Sequence, residues 1–102
     1  MSKIVATGSY LPKKVMTNTE LIEQTGIDSS DDWIIQRTGI HQRHFSSKEE
    51  TVSDLAVKSA KDLLGKMDDD IVQEIQLIIV ATMSSRLPTP SIASQVQRAL
   101  GI

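Results

Sequence analysis

Lys3-Ile4-Val5-Ala6-Thr7 is a short β-branched run ended by Gly8, which predicts a buried strand. Leu11-Pro12 closes the following turn, because a residue before proline is pushed out of helical space. Thr17 to Thr25 reads as a short helix. Thr17 and Glu20 have capping-box spacing, and Gly26 stands where a left-handed stop belongs. A second short helix is expected from about Ser30 to Thr38, capped by Ser29 or Ser30 and ended by Gly39. Asp31 and Asp32 fall in its first turn, where the helix dipole favours negative charge. Ile40 to Phe45 alternates weakly, as an edge strand or extended arm does. Val52, Leu55, Ala56, Ala60, Leu63 and Leu64 recur at helical spacing, so Thr51 to Leu64 is the clearest helix, stopped by Gly65.

Lys66 to Glu74 reads as an acidic connector with room for one helical turn. Gln76 to Thr82 holds a continuous β-branched run, the pattern of a central strand buried on both faces in a parallel sheet. Ser84 to Pro90 is a loop with two prolines, and Pro90 is expected in the first turn of a last helix capped by Thr89. Ile92, Val96, Ala99 and Leu100 make that helix's apolar stripe. Strand, two short helices, strand, long helix, buried strand and helix argue an α/β fold with parallel pairing. A strand buried on both faces needs neighbours that these residues do not supply, so the pattern reads as a truncated α/β unit. No internal repeat, linker or domain boundary interrupts residues 1–102.

Composition narrows the function classes. A chain of 102 residues with a net charge of -2 carries no broad basic field, which argues against a nucleic-acid partner. No cysteine is present; no disulfide and no thiol nucleophile can come from these residues, and a reducing compartment fits. The longest apolar run, Leu77 to Ala81, is far too short for a bilayer, and Met1-Ser2-Lys3 leads straight into a strand rather than a signal-peptide core. The expectation is a cytoplasmic protein with no membrane partner. His41 and His44 are three apart on an extended stretch and so face opposite sides. Asp68-Asp69-Asp70 lacks the glycine and the downstream glutamate of a calcium loop. No metal site is expected from either.

Taken in order, Thr7 to Pro12, Thr17-Asn18, Ser30 to Ile34, Arg37 to Ile40 with Arg43-His44, Glu50 to Ala56, Leu77 to Thr82, and Pro90-Ser91 leading to Gln95 and Leu100-Gly101-Ile102 resemble the N-terminal part of the β-ketoacyl-acyl-carrier-protein synthase III family. The match is collinear, and Trp33 to Gly39 is its most specific segment. It implies part of a thiolase-like αβαβα sandwich with a mixed, mostly parallel sheet. The activity it implies is acyl transfer: an acyl group from acyl-CoA is loaded on a cysteine and condensed with malonyl-acyl-carrier protein, with loss of carbon dioxide, to start a fatty acid. It also implies a homodimer, with acyl-CoA as substrate and no cofactor. The family's cysteine, histidine and asparagine have no counterpart in these residues, so the chain alone is expected to be inactive. A non-catalytic CoA-binding or dimerisation module, or a piece of another thiolase-fold synthase, stands beside this reading.

Trp33 and Arg37 are four apart on a predicted helix and share one face. An indole beside a guanidinium suits an adenine ring carrying a phosphate; a core tryptophan with Arg37 paired to Asp32 or another acid is the plainer alternative. The resemblance favours the first, since it implies that the tryptophan stacks on the adenine of CoA and that the arginine lies against the same nucleotide. It also places Ser29 near that nucleotide, where a helix cap is an equal reading. Arg43 and His44 are expected to be solvated or structural, with a phosphate contact as the alternative. The family loop matching Met83 to Thr89 packs at a dimer interface and reaches the partner's acyl pocket. The position before Pro90-Ser91, often phenylalanine in the family, is Thr89 here, which implies room for a primer larger than acetyl.

Overall fold

The computed structural model describes residues 1–84 and 91–102, which group into two compact units: Leu11–Ser47, and Met1–Tyr10 with Lys48–Ile102. The expected cap at Thr89 and first turn at Pro90 lie outside the described residues.

The unit Leu11–Ser47 is built around a hairpin-like pair. Strand β1 (Lys14–Thr17) runs antiparallel to β2 (Gln42–Phe45), in a register that sets Met16 opposite Arg43 and Val15 opposite His44. Between them lie helices α1 (Asn18–Thr25) and α2 (Asp31–Thr38). Both begin as the sequence predicts. Thr17 Oγ1 accepts from the Glu20 amide at 3.2 Å, and Ser30 Oγ accepts from the Trp33 amide at 3.2 Å. Both end on a left-handed glycine, Gly26 at φ 69° and Gly39 at φ 71°, a conformation that costs a residue with a Cβ. Met16 and Ile34 are this unit's buried hydrophobics, with Asn18 as its buried polar residue. His44 turns its Nδ1–H to the Pro12 carbonyl at 2.6 Å, which ties the chain ahead of β1 to β2.

The second unit is organised on α3 (Val52–Leu64). Its start is a full capping box: the Thr51 hydroxyl accepts from the Asp54 amide while the Asp54 carboxylate accepts from the Thr51 amide at 2.9 Å. A single turn, α4 (Ile71–Glu74), occupies the acidic connector, and α5 (Ile92–Leu100) packs against α3. Ile92 and Val96 are buried, and Ser53 bonds Gln95 from α3 to α5. The cap of α5 is Ser91, whose Oγ accepts from the Ser94 amide at 3.2 Å; this corrects the expectation of Thr89. The N-terminal segment lies along α3, with the Ser9 amide on Asp62 Oδ2 at 3.0 Å and Lys66 Nζ on the Thr7 carbonyl at 3.1 Å.

The chain is α/β, as its pattern argues, but the pairing differs in detail. Residues 3–7 and 76–82, expected as strands, join no ladder among the described residues, and the one ladder there is antiparallel. A β-branched run records a residue's fit to a sheet, whereas a strand also requires a neighbour to bond. Accordingly Ile4, Leu77 and Ile79 stay 86%, 76% and 80% exposed. No helix of the described residues is long and apolar enough to cross a membrane.

Candidate functional site

Helix α2 presents Trp33 at its third position because the Ser30 cap starts the helix there and Asp31 and Asp32 stabilise its first turn. Ile34, the neighbouring residue, is buried and anchors the helix. Trp33 is 54% exposed, so it is not a core residue of this unit. Arg37, one turn on, sets its guanidinium carbon 5.4 Å from the centre of the indole ring, within the range of about 6 Å for a cation–π contact. Arg37 makes no ion pair among the described residues, so the pairing with Asp32 is not formed.

Beside the indole is a hollow of about 590 Å³, bordered by Asp28, Ser29, Trp33, Ile34, Thr38 and Arg43 among others. Ser29 is not the cap of α2; Ser30 is. The Ser29 hydroxyl is instead buried without a hydrogen-bond partner at the edge of this hollow. A buried unpaired hydroxyl costs about 1–3 kcal/mol, so Ser29 is a polar group for which the described residues supply no partner. Of the four residues predicted from sequence, the structure brings Trp33 and Ser29 to one hollow with Arg37 stacked on the indole; Thr89 lies outside the described residues.

Two residues at the site carry more than the sequence reading gave them. Arg43, read from the sequence as solvated or structural with a phosphate contact as the alternative, is half-buried and lines the hollow. Asn18 was not singled out as a site residue. It is 0% exposed. Its Nδ2 donates to Asp31 Oδ1 at 3.0 Å and to the Ile40 carbonyl at 2.7 Å, and its Oδ1 accepts from Arg43 Nη1 at 3.3 Å. Chemically, the hollow offers a flat ring and the Arg43 guanidinium, with Arg37 over the ring outside its lining, a set suited to a heteroaromatic ring bearing anionic oxygens. His41 and His44 join no cluster able to hold a metal among the described residues.

No protein-family model matches the chain. Curated relatives do. The β-ketoacyl-[acyl-carrier-protein] synthase III 1 of Vibrio parahaemolyticus is 48% identical over 99% of this chain, and the synthase III of Pasteurella multocida is 46% identical over the same share. The chain spans 31% of the length of each. Among solved structures, the synthase III of Thermus thermophilus superimposes with a TM-score of 0.88 at 39% identity, covering 99% of this chain and 30% of that one. The synthase III of Aquifex aeolicus gives 0.84 at 41% identity, over 97% of this chain and 31% of that one. These findings bear out the family resemblance and the α/β class read from the sequence.

Proposed function

We propose that this chain, homologous along nearly its whole length to the N-terminal part of β-ketoacyl-[acyl-carrier-protein] synthase III, supplies the nucleotide grip of a condensing acyltransferase. In this reading the adenine of acyl-CoA lies against Trp33, Arg37 stiffens the ring and faces the nucleotide's negative charge, and Ser29 bonds the base. The observation that carries it is the half-exposed Trp33 under Arg37, next to a hollow lined by Ser29, whose buried hydroxyl is unpaired. The handle of the substrate would be held here while its acyl group reacts elsewhere with malonyl-acyl-carrier protein. The thioester nucleophile cannot come from these residues, since none is cysteine, and the 102-residue chain alone is inactive on this account. A homodimer in the cytoplasm is part of the same proposal. Thr89, smaller than phenylalanine, would leave space for a primer longer than acetyl.

The test is CoA binding by calorimetry to the wild-type chain and to Trp33→Ala and Arg37→Ala. Each substitution should weaken binding by about tenfold, the weight of a base–aromatic or cation–π contact of some 1–2 kcal/mol. Unchanged affinity in both variants overturns the assignment. Condensation assays on the whole enzyme with acetyl- and branched acyl-CoA test the primer range, and a strict acetyl preference removes the inference from Thr89.

A further inference from the structure

Asn18 is the one wholly buried polar side chain among the described residues. Its orientation is fixed by its partners. The Asp31 carboxylate and the Ile40 carbonyl only accept, and the Arg43 guanidinium only donates, so the amide nitrogen must face the first two and the oxygen the third. Asp31 is the first residue of α2, and Ile40 follows the glycine that ends it. One carboxamide therefore holds both ends of the helix that carries Trp33, and on its other side it holds Arg43. The Asn18 amide N–H adds a bond to the His41 carbonyl at 3.3 Å, on the approach to β2.

Arg43 lines the Trp33 hollow and spends only Nη1 on Asn18. It forms no ion pair among the described residues. A guanidinium has five N–H donors in a rigid fork, so most of this one's capacity remains for whatever enters the hollow. Its direct partner is a neutral amide rather than a carboxylate, so no counter-charge is bonded to it. Asp28 also borders the hollow, which disfavours an anion placed at random and leaves the Arg43 side as the position for one. We propose that Asn18 is a positioning residue that aims Arg43 into the hollow, where Arg43 binds a phosphate group of the nucleotide whose ring lies on Trp33. This rests on the nucleotide reading given above.

Trp33 is the only tryptophan of the chain, so its fluorescence reports this site directly. Emission is followed on addition of adenosine or adenosine 3′,5′-bisphosphate to wild type, Arg43→Gln, Asn18→Ala and the double variant. Wild type should bind the bisphosphate more tightly than adenosine. Arg43→Gln should lose about tenfold in affinity for the bisphosphate, the scale of a charge-assisted contact, with adenosine unaffected. Asn18→Ala should show the same loss for the bisphosphate beyond any loss for adenosine, which reports its bonds to the ends of α2, and the double variant no further phosphate-selective loss. Where far-UV circular dichroism finds Asn18→Ala unfolded, Asn18→Ser replaces it in the cycle. Equal losses for both ligands, additive losses in the double variant, or no loss in Arg43→Gln overturn the proposal while leaving the nucleotide reading intact. Absence of quenching by either ligand in wild type overturns both.

Discussion

Gly8 sits where the N-terminal segment crosses α3, and there is no room there for a side chain. A Cβ at this position would lie 2.5 Å from both the Ser59 carbonyl oxygen and the Leu63 amide nitrogen, and 2.6 Å from Leu63 Cβ. Two of these neighbours are helix backbone and cannot rotate away. Gly8→Ala therefore has to lift the segment off α3 by about 1 Å to reach ordinary contact distance. The Ser9 amide bond to Asp62 at 3.0 Å and the Lys66 bond to the Thr7 carbonyl at 3.1 Å flank the clash. Stretched by that amount, neither remains a hydrogen bond. Overpacking of this kind costs about 1–3 kcal/mol, which multiplies the open fraction of the segment by about 5 to 150.

Amide exchange followed by mass spectrometry reads this directly, since local opening sets the exchange rate. Exchange at the Ser9 amide, the one amide of residues 1–10 with a hydrogen bond among the described residues, should speed up within that range. Gly26→Ala is the control. Its Cβ would meet nothing within 4 Å, but its φ of 69° strains any L side chain, so it should loosen the end of α1 and leave residues 1–10 as they were. Unchanged exchange at Ser9 and Tyr10 in Gly8→Ala would refute the close-approach argument.

Acid should release the same contacts. The Lys58 ammonium lowers the Glu50 carboxyl from its usual 4.5, the Thr51 amide lowers Asp54 from 3.8, and the Ser9 amide lowers Asp62 from 3.8. A depressed carboxylate stabilises the fold above its unfolded pKa and ceases to as pH falls through its folded one. Residues 1–10 and the start of α3 should thus gain exchange below about pH 4, measured after correction for intrinsic rates, and a flat profile from pH 6 to 3 contradicts this. The exposed faces of Ile4, Leu77 and Ile79 should make the isolated chain self-associate, because contiguous apolar surface does so. Sedimentation velocity should show larger species that Leu77→Lys with Ile79→Lys reduces, whereas a monomer with a sharp cooperative melt argues against it.

What the sequence disclosed and what it withheld divide along one physical line. Helix ends are local: Thr17, Ser30 and Thr51 cap the residue three positions on, and Gly26 and Gly39 supply the left-handed stop one turn after the last bonded carbonyl. Such signals can be read without knowing the fold. Strands are not local. Lys14 to Thr17 carries too short and mixed a pattern to announce β1, which exists because β2 bonds it from 25 or more positions away. Conversely, residues 3–7 and 76–82 have strong strand composition and join no ladder among the described residues.

The candidate site repeats that division. Trp33 and Arg37 are legible because four residues on one helix bring them together by geometry alone, and the 5.4 Å stack follows. Asn18 was hidden because beside a capping threonine it looks like an ordinary first-turn polar residue. Its partners lie 13, 22 and 25 positions away, and only burial makes their bonds obligatory. Arg43 inherits its place from that burial: an arginine on a short edge strand is open to a solvated or a structural role until a buried amide takes hold of one end of it. The ring that would receive a base is thus written in local spacing, while the charge that would select a phosphate depends on a single long-range hub. Substitutions at Trp33 and at Arg43 should accordingly separate into loss of ring binding and loss of phosphate preference.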